Sequence, residues 1–201
     1  MFNNSRPISR TLLQILFLVS SLGLCSMVAA AQSETAQSEA AQSEPEERIF
    51  EDKIPKHLPI KFKLKNEAKA KDLKNRKWLR DLEIEVTNTG DRPIYHFIIL
   101  VSMPEVIGPT GIPFGYPFVY GRRALGDPLN KATPEDVPLK PGESCIVKAP
   151  EQDWRGWELG TASGEHDDPK KVRLIFAGLS FGDGTGFHAG DGQPYPRKVS
   201  G

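Results

Sequence analysis

The densest reactive chemistry in the sequence lies at residues 181–192, Phe-Gly-Asp-Gly-Thr-Gly-Phe-His-Ala-Gly-Asp-Gly. Asp183, His188 and Asp191 stand among glycines that let the backbone fold tightly. Oxygen donors on such a loop suit Ca²⁺, so these three are the candidate metal ligands and Ca²⁺ the candidate ion. Their spacing fits no standard calcium loop. Glycine and aspartate also build ordinary hairpin turns, and the sequence favours that second reading.

Just upstream, Gly178-Leu179-Ser180-Phe181-Gly182 matches G-x-S-x-G. A nucleophile elbow needs a strand, a sharp turn at the serine and then a helix. The strand is expected here, but Asp183-Gly184-Thr185-Gly186 is a poor helix start. The rest of the chain also lacks α/β alternation. Gly182–Gly186 does not complete a dinucleotide or phosphate loop. The histidines His57, His96, His166 and His188 show no H-E-x-x-H spacing, so zinc would need ligands gathered from distant positions. His96 falls in an apolar run and is read as structural. Glu165, His166, Asp167 and Asp168 are read as a solvated polar cluster. No catalytic residue and no organic cofactor site is assigned.

The candidate binding surface is Phe114, Tyr116, Phe118 and Tyr120, within Pro-Phe-Gly-Tyr-Pro-Phe-Val-Tyr at 113–120. Aromatic rings on a loop can stack on sugars or anchor a protein. The competing role is to cover the open end of the fold, and the sequence favours it.

Short strands must position these groups. Residues 82–88, Leu-Glu-Ile-Glu-Val-Thr-Asn, alternate apolar and polar side chains, the mark of a half-buried antiparallel strand. Asn88-Thr89-Gly90-Asp91 supplies a turn, and 94–101 resumes as an apolar run. The two are expected as a hairpin or close neighbours. Further strands are expected at 59–65, 144–149 and 171–181, with a bulge at Gly178. Residues 66–80 read as a short helix or long loop, 150–162 as a short helix with Trp154 and Trp157 on one face, and 104–128 as a long aromatic and proline loop. The fold class is therefore all-β, an antiparallel β-sandwich with one or two short helices.

Asn88-Thr89-Gly90-Asp91-x-Pro93-Ile94 after an alternating strand, followed by Leu139-x-Pro141-Gly142-Glu143-Ser144 before another, resembles the immunoglobulin-like accessory domains of exported bacterial proteins. The resemblance covers about residues 58–182. It implies an immunoglobulin-like sandwich, and adhesion, spacing or ligand binding rather than catalysis. The chain lacks the paired cysteines of antibody domains.

The N-terminus is expected to direct export. Arg6 and Arg10 precede an apolar run over 11–30 that ends in Ala29-Ala30-Ala31, the three-part pattern of a signal peptide cleaved after Ala31. Retention as a membrane anchor and lipidation at Cys25 are the alternatives, the latter opposed by bulky Leu24. Residues 32–47 are read as a disordered acidic spacer built on repeated Ala-Gln-Ser-Glu, and 48–201 as one sandwich domain. Cleavage removes two of the 26 basic residues and none of the 26 acidic ones, leaving a nearly neutral chain unsuited to nucleic acid. The basic crowd at 61–80 is read as a solvated face interleaved with acids. Cys145 then remains as a lone thiol, read as a core side chain.

The expected function is an exported, non-enzymatic binding or structural module, periplasmic or secreted, whose partner is an envelope or extracellular protein or a glycan. The alternatives are an exported hydrolase or metal-dependent enzyme using residues 180–191, and a membrane-tethered envelope subunit that keeps its apolar segment.

Overall fold

The computed structural model describes residues 47–196. The signal segment 1–31, Cys25, the Ala31 cleavage point, spacer residues 32–46 and the tail 197–201 lie outside the described residues. Among the described residues, 47–196, no helix is long and apolar enough to cross a membrane.

The strands are β1 (Ile49–Asp52), β2 (Ile60–Leu64), β3 (Glu83–Asn88), β4 (His96–Ile107), β5 (Pro113–Tyr120), β6 (Ser144–Lys148), β7 (Lys171–Ser180), β8 (Gly186–His188) and β9 (Gln193–Tyr195). The helices are α1 (Glu67–Lys71), α2 (Trp78–Asp81) and α3 (Glu151–Ser163). Two sheets pack against each other as an all-β sandwich. The larger runs β5-β4-β7-β8-β9, with β1 also on β7; the smaller runs β2-β3-β6.

Alternation decides which faces meet. Leu82, Ile84 and Val86 are essentially buried, while Glu83 and Glu85 point outward to Lys148 of β6 and to Lys65 just beyond β2. From the opposite sheet, Phe97, Ile99, Val101 and Met103 of β4 and Val172, Leu174, Phe176 and Leu179 of β7 enter the same core. Each large apolar side chain so buried contributes roughly 1.5–3 kcal/mol. The phase change between Phe176 and Leu179 comes from the expected bulge: Ile99 pairs with Phe176 but Ile98 with Gly178, so Ala177 is the extra residue.

Three expectations are corrected. First, β3 and β4 do not pair as a hairpin; they are consecutive strands of opposite sheets. The fully buried Asn88 side chain shapes the crossing. Its amide donates to the Arg92 and Leu139 carbonyls at 2.8 and 2.9 Å, and its oxygen accepts the Gly90 N–H at 3.0 Å. Second, residues 104–128 are not one long loop. β4 continues to Ile107, and β5 occupies 113–120. Prolines 113 and 117 are tolerated there because β5 is the terminal strand of its sheet. Third, the sandwich is not wholly antiparallel, since β1 lies parallel to the first half of β7.

Candidate functional site

The segment 181–192 forms a small hairpin. β8 and β9 pair antiparallel, with Gly186 opposite Tyr195 and His188 opposite Gln193. Asp183 accepts the Thr185 hydroxyl at 2.6 Å and backbone N–H at 3.0 Å. It also bridges to Arg92 at 2.7 Å, whose guanidinium lies 3.9 Å above the Phe181 ring. Thr185 first, then Arg92, hold this carboxyl below the usual range. His188 is exposed and edge-on to Tyr195, and Asp191 accepts the Gln193 amide at 3.2 Å. Asp183, His188 and Asp191 are not gathered into a Ca²⁺ ligand set. Among the described residues, no group of three or more His, Cys, Asp or Glu is placed to hold a metal ion. The glycines serve the turn.

Ser180 ends β7, buried, and accepts the Gly182 N–H at 3.1 Å. His96 sits directly across the strand pair from it, yet neither imidazole nitrogen has a hydrogen-bond partner. Burial is the main influence lowering the His96 pKa. The nearby Tyr120 backbone opposes this in part, and Arg123 adds to it. The serine and histidine are neighbours without being coupled, and Ser180 leads into a hairpin instead of a helix.

The four aromatics proposed for a binding surface turn inward, because period two on β5 puts them all on one face. Phe118 is fully buried. Tyr120 stacks on Phe97 at 5.4 Å and donates its hydroxyl to the Val137 carbonyl. Phe114 and Tyr116 meet Trp157 edge-on at 6.1 and 6.3 Å. Phe114 and Tyr116 thereby pack against α3, whereas Phe118 and Tyr120 pack into the core beside β4.

Trp157 leads to a centre that the sequence left unmarked. One oxygen of Asp168 accepts both indole N–H groups, from Trp78 and Trp157, each at 3.1 Å. The Arg48 guanidinium, fully buried, lies 4.5 Å from the Trp78 ring centroid. It donates to the Pro169 and Ala70 carbonyls at 2.9 and 2.5 Å. Burial lowers its pKa to about 10, against the pull of Asp168 and Asp72. His166 lies against Trp157 at 4.0 Å. The 165–168 cluster is thus only half solvated: Glu165 and Asp167 are exposed, whereas His166 and Asp168 turn inward. This centre ties three separate chain segments together, which is a structural role.

A different place offers open space. A groove of about 420 Å³ is lined by Asp52, Ile54, Leu58, Ile60, Phe62 and Thr89, with Lys56 and Lys61 also on its walls. Its floor is apolar, since Ile54, Leu58 and Ile60 are buried there. It runs beside β2, the terminal strand of the small sheet. The basic residues nearby are partly interleaved with acids, as Lys65–Glu85 and Lys71–Glu67 pairs.

No family model, no curated protein and no solved structure matches this chain.

Proposed function

We propose that this chain is an exported binding module that holds a protein partner along the edge of its small sheet. One observation carries the reading: an apolar-floored groove of about 420 Å³ lies beside a terminal strand. Grooves of this size with an apolar floor and a few polar groups are where ligands bind, and an open strand edge is a template for another chain. Export is supported by Arg6, Arg10, the apolar run 11–30 and the Ala29–Ala31 terminus of that run. The turn-and-strand grammar shared with immunoglobulin-like accessory domains agrees with a binding role. A protein is favoured over a glycan because Phe114, Tyr116, Phe118 and Tyr120, the rings suited to sugar stacking, pack inward.

The test is a photo-crosslinking amino acid at Thr89, an exposed residue of the groove, in the full chain expressed in its own host. A matched probe replaces Leu129, which is 89% exposed and away from the groove. The expected result is a discrete protein adduct from position 89 and none from 129. Identical patterns from both positions, or no adduct from 89, would overturn the proposal.

A further inference from the structure

We infer that the groove accepts an extended segment of a partner that adds to β2 as a fourth strand, with apolar and acidic side chains in alternation. The inference deepens the binding-module reading and rests on it.

The backbone of β2 fixes which groups are free. Thr89 donates its N–H to the Pro59 carbonyl, and Lys65 donates to the Glu83 carbonyl. With Lys61 opposite Thr87 and Lys63 opposite Glu85, antiparallel alternation turns the backbone groups of Lys61 and Lys63 toward β3. The N–H and C=O groups of Phe62 and Leu64 therefore face the other way, to the edge that no strand of the small sheet covers. The opposite end strand, β6, packs beside β5 instead.

Side chains then set the chemistry of the guest. Ile60, Phe62 and Leu64 share the inner face with the groove floor, and Lys61 and Lys63 point outward, exposed. Neither lysine is in an ion pair among the described residues, although the Lys63 charge also acts on Glu67. A strand added to this edge puts alternate side chains over the apolar floor and the others beside these lysines. Opposite charge across strands is favoured and like charge is not. The protein already contains an example of such a partner: β3 meets the other edge of β2 with Ile84 and Val86 inside and Glu83 and Glu85 outside. Main-chain hydrogen bonds supply affinity in strand addition, and the alternating side chains supply specificity.

The experiment uses the full-length chain and a fluorescein-labelled peptide, Leu-Glu-Ile-Glu-Val-Thr-Asn, which copies residues 82–88. Fluorescence anisotropy is expected to show saturable binding. The double variant Lys61→Glu/Lys63→Glu, changed only at exposed outward positions, is expected to bind at least tenfold more weakly. The reversed peptide, Leu-Lys-Ile-Lys-Val-Thr-Asn, is expected to prefer that variant, so loss of folding cannot imitate the result. Equal binding of both peptides to both proteins, or no binding to the unaltered chain, would overturn strand addition. If the peptides fail while the Thr89 probe still captures one partner, the binding module stands and the strand geometry falls. Failure of both removes the binding-module reading as well.

Discussion

Asp168 Oδ1 and Trp157 Nε1 lie 3.1 Å apart, and the same oxygen accepts the indole of Trp78 at the same distance. Both indoles are fully buried, so each N–H depends on this one acceptor. An unsatisfied buried donor costs about 1–3 kcal/mol. Asp168→Ala strands two, and the expected loss in urea unfolding is about 2 kcal/mol or more. Asp168→Asn keeps an oxygen acceptor and is expected to cost about 1 kcal/mol. Equal losses for the two variants would show that the charge, not the acceptor, does the holding.

Asn88 makes a second hub, tying the Gly90 N–H and the Arg92 and Leu139 carbonyls at the point where the chain changes sheets. Asn88→Ala is expected to lose about 1–3 kcal/mol. Asn88→Asp keeps the acceptor for Gly90 but loses both donors, and is expected to be at least as damaging as alanine. Chemical denaturation with matched m-values checks both.

His96 is held neutral by burial, below its ordinary value of 6.5. The unfolded chain therefore takes up this proton at a higher pH than the folded one. Linkage then gives full stability above about 6.5 and a progressive loss as pH falls toward the lowered folded value. The urea midpoint is expected to drop between about pH 7 and pH 5. His96→Leu is expected to flatten that part of the profile. A slope unchanged in the variant would assign the pH dependence to other groups.

Cys145 is half-buried against the core, and burial pushes its thiol from 9.0 up to about 11. The thiolate is the reacting form. In the Cys25→Ser chain, Cys145 is the single thiol. At pH 8 its labelling by a thiol reagent is expected to be about a hundredfold slower folded than unfolded. Comparable rates would mean that the β6 thiol is open and reactive.

Strand alternation was legible wherever each strand buries one face: 59–65, 82–88, 144–149 and 171–181 all became strands, and the bulge at Gly178 fell within one residue. Sheet membership was not legible. The turn after Asn88 reads like a hairpin turn, but the chain passes to the other sheet, with Asn88 and Ile94 both tied to distant Leu139. The 113–120 segment reads as a loop because proline and glycine mask a period-two row of aromatics on what is a strand. Edge position, which no local pattern encodes, is what permits those prolines. The Asp168–Trp78–Trp157 centre joins residues up to 90 positions apart, and nothing near Asp168 in the chain distinguishes it from exposed Asp167. The groove was likewise invisible, because it forms between the β1–β2 connection and the edge of β2.

Amide hydrogen exchange along β2 tests the central claim most directly. In the full-length chain alone, Phe62 and Leu64 are expected to exchange fast, while Lys61 and Lys63, bonded to β3, are protected. Adding the residue 82–88 peptide is expected to slow Phe62 and Leu64 at least tenfold and leave Lys61 and Lys63 unchanged. Protection of Phe62 and Leu64 already in the free chain, or no slowing at saturating peptide, would contradict an open edge that receives a partner strand.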